Sequence, residues 1–193
     1  MDGTGRASRW AASMSSGGAK LGSVVVAALA LTACPAKPTD GSWAAFNGFY
    51  PGMSLQDAKG AGAINCKETS SISKEVQCDI PPHRRALGPF NARSARLVFY
   101  ISNQHRLSRM FVHFHGPHFN ALCHAAAEIY GAPVIGSGYF WYRAGTPADI
   151  ELPMRGSSGD PTRTFMEFRY EPELADPKND PPYASERGCL PAE

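Results

Sequence analysis

An uncharged apolar run near the start of the chain decides which residues remain to form a folded domain. Residues 21–33 carry no charge in thirteen positions, and Cys34 follows them directly. The run is too short to span a bilayer, which needs roughly 20 apolar residues. It suits the apolar core of a secretory signal peptide, because Lys20, Arg9 and Arg6 supply a positive flank. The sequence therefore predicts that residues 1–33 are a signal peptide and that the chain is exported.

The four residues that close this run, Leu31, Thr32, Ala33 and Cys34, resemble the lipobox of bacterial lipoproteins. In that family the peptide is cut before the cysteine, which is then acylated. The resemblance implies that Cys34 is lipidated and anchors the protein to a membrane, since more than one acyl chain gives stable attachment. Pro35 does not resemble the usual aspartate retention signal, so the expected location is the outer membrane, facing the periplasm.

The charge of the chain lies largely in the targeting segment. Without residues 1–33 the chain has 160 residues, the size of one domain. Basic residues then fall from 19 to 16 and acidic residues from 17 to 16, so the mature chain is neutral apart from histidine. A neutral chain without a cationic block argues against nucleic acid or anionic lipid as a partner.

Four cysteines remain after Cys34, and an even number in an exported protein indicates two disulfides. Three pairings are possible. We favour Cys66–Cys78, because this pair brackets a polar stretch that looks like a hairpin loop. Cys123–Cys189 would then tie the C-terminal tail to a helix. Metal-binding thiolates are the alternative, but the sequence contains no C-x-x-C motif.

Periodicity predicts two helices and six strands. Ser54 followed by Asp57 is typical of a helix N-cap, and Gly60 and Gly62 end that short helix. In the strand HRLSRMFVHFH, alternate residues should face the core, with Met110, Val112 and Phe114 on one face. The predicted strands are EVQCDI, ARLVFYIS, HRLSRMFVHFH, YFWYR, DIELPM and RTFMEFRY. The second helix is HFNALCHAAAEIYGAP, with an apolar stripe of Phe119, Leu122, Cys123, Ala126, Ile129 and Tyr130.

The order of these elements repeats. Residues 48–116 and 117–170 each read as a helix followed by three strands, after a segment 34–47 formed by the lipidated cysteine and a linker, and before a Pro-rich tail, 171–193. We therefore predict an α+β domain of two tandem helix-plus-three-strand units, with one antiparallel sheet and the helices packed on one face. The P-G-M-S opening and the Y-G-x-P…W ending resemble the small outer-membrane lipoproteins of the barrel-assembly machinery and the β-lactamase-inhibitor-protein fold. The resemblance implies this fold and assigns no functional residue.

Motifs of catalysis and cofactor binding are absent from the sequence. It has no G-x-S-x-G, H-E-x-x-H, P-loop or G-x-G-x-x-G pattern. We therefore predict a protein that is not an enzyme and holds no cofactor.

A histidine cluster offers the main alternative. His113 and His115 would point the same way from a strand, and His124 and Glu128 lie one turn apart on a helix, with His118 between the pairs. If Met110, Val112 and Phe114 face the helix, however, a layer of core separates the two pairs. The aromatic stretch 139–142 could bind a ligand, but packing in and beside the sheet is the favoured interpretation.

Two functions follow from the sequence. The first is a membrane-anchored envelope lipoprotein that binds another envelope protein without catalysis, as an assembly scaffold or an inhibitor. The alternative is a periplasmic metal-binding or metal-dependent protein that uses the histidine cluster.

Overall fold

The computed structural model describes residues 41–69, 74–116, 118–153, 163–176 and 187–191. The predicted signal peptide, the lipidated Cys34 and the first part of the predicted linker lie outside the described residues. Most of the predicted C-terminal tail after residue 176 lies outside them as well.

The described residues form a mostly β structure with two α-helices. The helices are α1 (Leu55–Gly60) and α2 (Phe119–Tyr130). The strands are β1 (Ile64–Glu68), β2 (Glu75–Asp79), β3 (Ala86–Leu87), β4 (Phe90–Tyr100), β5 (Arg106–His115), β6 (Val134–Ile135), β7 (Gly138–Tyr142), β8 (Ala148–Pro153) and β9 (Arg163–Tyr170). They form a nine-stranded antiparallel sheet in the order β1-β2-β4-β5-β9-β8-β7-β6, with β3 beside β4.

The predicted fold class, an α+β domain of two tandem helix-plus-three-strand units with helices on one face, is wrong. The six predicted strands are present as β2, β4, β5, β7, β8 and β9, but β1, β3 and β6 add three more. Strand β1 lies at the edge of the sheet with four of its five residues exposed, so it shows no apolar alternation. Strands β3 and β6 have two residues each, which is too short for any periodic signal.

Helices also cover less of the core than predicted. Helix α1 has six residues and buries only Ala58. The segment before it fills that space, with Trp43, Phe46, Phe49 and Met53 all buried. Residues 41–47, which the prediction placed in the linker, are thus part of the packed domain. The indole N–H of Trp43 donates to the Thr146 hydroxyl at 2.9 Å, which fixes this segment over the sheet.

The predicted alternation in β5 is confirmed. Met110, Val112 and Phe114 are at most 3% exposed and share one core with the α2 residues Leu122 and Cys123. The neighbouring strands continue the same core face, because cross-strand partners in an antiparallel sheet point to the same side. In register with β5, the core-facing residues of β9, β8 and β7 are Met166, Phe168, Ile150, Leu152, Tyr139 and Trp141.

Local signals at the two helices predict their ends correctly. The Ser54 hydroxyl accepts a hydrogen bond from the Asp57 backbone N–H at 3.0 Å, which confirms the N-cap of α1. Helix α2 spans most of the predicted helix and is followed by Gly131. The assignment of Ile129 to its apolar stripe is wrong, since this residue is 55% exposed. Ala125 is buried instead, because the turn at Gly88 approaches that side of the helix.

The predicted disulfide pairing is confirmed. Cys66 and Cys78 join β1 to β2 with an S–S distance of 2.06 Å, and Cys123 and Cys189 join α2 to the C-terminal segment at 2.04 Å. The second bridge does not act alone, because the Leu190 backbone N–H donates to the Tyr139 hydroxyl at 2.9 Å.

Strand β1 is irregular where it forms the edge of the sheet. Its register against β2 shifts between Ile64 and Lys67, and Asn65 has a positive φ of 54°. A bulge of this kind bends the strand and interrupts its ladder of hydrogen bonds.

Candidate functional site

The sheet has a second face, opposite the core, on which most side chains are only partly exposed. We call it the outer face and define it by side chains of β4, β5, β7, β8 and β9 that alternate with the core residues. Cross-strand register places these side chains in adjoining rows. They are Arg96, Val98, Arg109, Phe111, His113, Phe140, Tyr142, Asp149, Glu151, Phe165, Glu167 and Arg169.

Two arginines and three acidic residues form a network at the centre of the outer face. Arg109 lies directly opposite Arg169, and Glu167 lies directly opposite Glu151, so like charges are cross-strand partners. Such pairs are destabilising unless opposite charges lie nearby. Here the diagonal contacts supply them: Arg109 reaches Glu167 at 3.0 Å, and Arg169 reaches Glu151 at 2.9 Å.

Arg169 is the centre of this network. Its guanidinium donates two hydrogen bonds to the Asp149 carboxylate, at 2.8 and 2.6 Å, in the bidentate geometry that is the strongest arrangement for this pair. Glu171 lies further away, at 3.7 Å. Burial alone would lower the pKa of Arg169, but the hydrogen bond that it donates to Asp149 and the charges of Asp149, Glu151 and Glu171 raise it overall. Arg169 therefore stays charged and holds several carboxylates together.

Glu167 is the carboxylate of the network whose negative charge is stabilised least. Its side chain is 12% exposed, whereas its partner Arg109 is 47% exposed. Burial raises the pKa of Glu167, and the nearby charges of Glu151 and Asp149 act in the same direction, while Arg109 and Arg169 oppose them. Negative charge at this position thus costs free energy in the folded protein.

Replacing Glu167 with Gln is expected to leave the protein at least as stable at pH 7. A carboxyl whose pKa is raised by folding favours the folded state below its unfolded pKa, and this advantage is lost as the pH rises through the folded value. The variant removes the charge, so its free energy of unfolding should fall less than that of the wild type between pH 4.5 and pH 7. Urea unfolding at several pH values measures this. A parallel pH dependence in both proteins would contradict the assignment.

Aromatic side chains flank the charged network on both sides. Phe140 and Tyr142 lie beside Glu151 and Asp149, and Phe111 lies beside Glu167. All of them are partly exposed. Phe165 continues this surface and packs against His113 with the two rings tilted and their centroids 5.6 Å apart. The aromatic stretch of β7 therefore divides: Tyr139 and Trp141 pack in the core, as expected, while the other two residues face outward.

A crevice of about 270 Å³ continues the outer face around the edge of β7. Phe140 and Tyr142 line it, together with Tyr130, Trp141 and Arg187. It exists because β6 pairs with β7 only at residues 139 and 140, so the rest of the β7 edge has no strand beside it among the described residues.

The structure does not bring the predicted histidine ligands together. His113 and His115 project from β5 on the side opposite its core residues, whereas α2 packs on the core side. His124 is exposed and hydrogen bonds through its Nε2 to the Leu190 carbonyl oxygen at 3.0 Å. His118 precedes α2, with its ring 5.7 Å from that of Phe90. Glu128 is exposed on the same helix. Within the part of the chain that the structure describes, no three His, Cys, Asp or Glu residues form a group that could hold a metal ion.

The charged network was not predicted from the sequence, although the spacing of its residues gives some indication of it. Asp149 and Glu151 are two residues apart in one strand, and Glu167 and Arg169 have the same spacing in the next, with Glu171 just after its end. Period-two spacing places each set on one face of its strand. Neither strand alone shows that the two sets are neighbours, because that depends on the pairing of β8 with β9.

Comparison of the chain with protein-family models, with curated proteins and with solved structures found no significant match.

A search of the described residues for a membrane-crossing helix found none with sufficient length and apolar character.

Proposed function

We propose that this protein is a lipid-anchored lipoprotein of the bacterial envelope that binds another envelope protein without catalysing a reaction, as an assembly scaffold or an inhibitor. The proposal is carried by the outer face, a broad sheet surface that presents partly exposed aromatic rings. Aromatic residues are enriched at protein interfaces, because a ring contributes a large contact area at a low entropic cost.

A binding role also agrees with the ion pairs that the carboxylates on this face already form. Asp149 and Glu151 are engaged by the guanidinium of Arg169, at 2.6 and 2.9 Å. A carboxylate whose oxygens are held by a cation is poorly placed to accept a proton from a substrate. The network is better suited to fix the shape and charge of a surface than to perform acid–base chemistry.

Membrane attachment is supported by the uncharged run 21–33 and by the L-T-A-C sequence that closes it. Cys34→Ser is expected to block acylation and normal processing, because the hydroxyl cannot replace the thiol that carries the lipid. Membrane fractionation and mass spectrometry of the mature N-terminus test this. A mature protein that begins elsewhere with an unmodified N-terminus would contradict the anchor.

The binding role can be tested separately, with photo-crosslinking in membranes. A photoreactive phenylalanine analogue at position 165 places the probe on the outer face, whereas the same analogue at position 129 places it on the exposed side of α2. A discrete cross-linked protein is expected from position 165 and not from position 129. Equal labelling at both positions, or none at 165, would contradict the use of this face.

A further inference from the structure

The crevice beside β7 has a charged side chain in its wall, and that side chain is a cation. Among the described residues that line the crevice, Arg187 carries the charge and the others are aromatic or small apolar residues. Asp149 and Glu151 of the neighbouring strand β8 do not line it, and both are engaged by Arg169. The crevice therefore favours an anionic group over a cationic one.

The backbone of Arg187 is fixed beside the crevice before any ligand binds. It pairs with Val134 of β6 in an isolated bridge. Two residues further along the chain, the Cys123–Cys189 disulfide ties the same segment to α2. Because this backbone is already ordered, a ligand that binds the guanidinium loses less free energy to ordering the protein.

The polar groups of the crevice wall that are not already engaged are hydrogen-bond donors. The indole N–H of Trp141 and the hydroxyl of Tyr130 each donate to a backbone carbonyl oxygen, at 2.7 and 2.9 Å. In contrast, the Arg187 guanidinium and the Tyr142 hydroxyl make no hydrogen bond with another residue that the structure describes. A guanidinium only donates, and a phenol hydroxyl can donate as well, so these two groups match the acceptor oxygens of a carboxylate.

The aromatic rings of β7 add an apolar surface to the same crevice. Phe140 and Tyr142 are two residues apart in the strand, so they lie on the same side of it. Both are partly exposed. The crevice, with about 270 Å³, is close to the lower end of the roughly 300–1,000 Å³ range of ligand pockets. It therefore suits one ring or branched side chain rather than a large cofactor.

We infer that this crevice binds a small organic carboxylate, with the carboxylate on the Arg187 guanidinium and the Tyr142 hydroxyl and an apolar group against Phe140. A free acid of this kind and the last residue of a peptide share this chemistry. The inference goes beyond the proposed function, since it needs no protein partner on the outer face.

Two probes that differ only in the carboxylate test this on the full mature chain. N-acetyl-phenylalanine should bind with a dissociation constant of about 1 mM or lower, as a ligand of this size can. Its uncharged amide should bind about tenfold more weakly or not at all, because hydrogen bonds to a charged group are lost. NMR titration measures both affinities and should show the largest shift changes at the backbone amides of Tyr142 and Arg187.

Variants of the two donors test the assignment of the carboxylate. Arg187→Gln should weaken binding of the acid about tenfold, and Tyr142→Phe about threefold, because each removes a donor to a charged group. Arg96→Gln is the matched control, since it removes an exposed cation of the outer face from β4, with three strands between it and β7. The control should leave the affinity for the acid unchanged, and thermal unfolding verifies that all three variants are folded.

Several results would overturn the inference. They are equal binding of the acid and its amide, no measurable binding of the acid, equal losses from Arg187→Gln and Arg96→Gln, and shift changes confined to residues away from the crevice.

A peptide with an apolar last residue distinguishes the two sources of the carboxylate. The probe is a pentapeptide that ends in phenylalanine, compared with the same peptide carrying a C-terminal amide. If the free-acid peptide binds clearly more tightly than N-acetyl-phenylalanine and the amidated peptide does not bind, the ligand is the end of a polypeptide chain. If the free-acid peptide binds no more tightly, the ligand is a free acid.

Discussion

Arg169→Met should destabilise the folded protein by about 3 kcal/mol or more at pH 7, the loss typical of removing one partner from a buried ion pair. The guanidinium is 22% exposed and contacts Asp149 and Glu151, both of which are at most 21% exposed. Met fills a similar volume without charge, so the variant leaves these carboxylates close together and without their cation. Urea unfolding at pH 7 measures the loss.

The dependence of this effect on pH identifies its cause. Arg169 lowers the pKa of Glu167 through its charge, so the variant should raise that pKa further above its ordinary range. A raised carboxyl pKa penalises the folded state above its folded value, and the penalty disappears as the pH falls. The difference in stability between Arg169→Met and the wild type should therefore shrink from pH 7 to pH 5.

Arg109→Met is the matched control for this variant. Arg109 contacts Glu167 from the same face, but it is 47% exposed, and exposed ion pairs contribute about 0–1 kcal/mol. Comparable losses from the two Arg variants would show that general packing of the sheet, rather than the buried charge of Arg169, determines the result.

Removing the Cys123–Cys189 disulfide should cost about 4 kcal/mol, because a longer loop in the unfolded chain loses more entropy when it is closed. The two cysteines are separated by 66 positions, against 12 for Cys66 and Cys78. Cys66→Ala with Cys78→Ala is the matched control and should cost about 3 kcal/mol. Urea unfolding of the two double variants under non-reducing conditions gives the comparison.

Removing the Cys123–Cys189 disulfide should also loosen the C-terminal segment locally. Without the bridge, residues 187–191 are held by hydrogen bonds such as that from the Leu190 N–H to the Tyr139 hydroxyl and that from the Gly188 N–H to the Pro133 carbonyl, at 2.9 Å each. Hydrogen exchange at Gly188 and Leu190 should accelerate in Cys123→Ala with Cys189→Ala and stay unchanged in the control. Unchanged exchange in both would mean that these hydrogen bonds suffice to hold the segment.

Local patterns predicted the individual elements well and their assembly poorly. The alternation around Met110 identified β5 and its core face, and Ser54 with Asp57 identified the start of α1. Both signals arise within a few residues. Strand β1 gave no such signal, because an edge strand exposes both of its faces and any sequence compatible with extended backbone can occupy it. The apolar residues Trp43 and Phe46 were assigned to the linker for a related reason, since a packed segment without regular structure has no period.

The candidate site depended on information that local patterns do not contain. The charges of β8 and β9 were visible in the sequence, but their meeting follows from the pairing of Asp149 with Arg169. The histidines show the reverse case. They are close in sequence, yet the sheet places His113 and His115 on one side and α2 on the other.

The irregular edge strand β1 has a consequence for a protein held on a membrane, as proposed here. Copies anchored to one membrane are confined to a thin layer beside it, so they collide far more often than free molecules would. A straight, unpaired strand edge would then invite sheet-to-sheet addition and aggregation. The register shift between Ile64 and Lys67, the positive φ of Asn65 and the exposed charge of Lys67 interrupt the ladder that an incoming strand would need. On the proposed membrane anchor, this irregularity would disfavour strand addition between neighbouring copies.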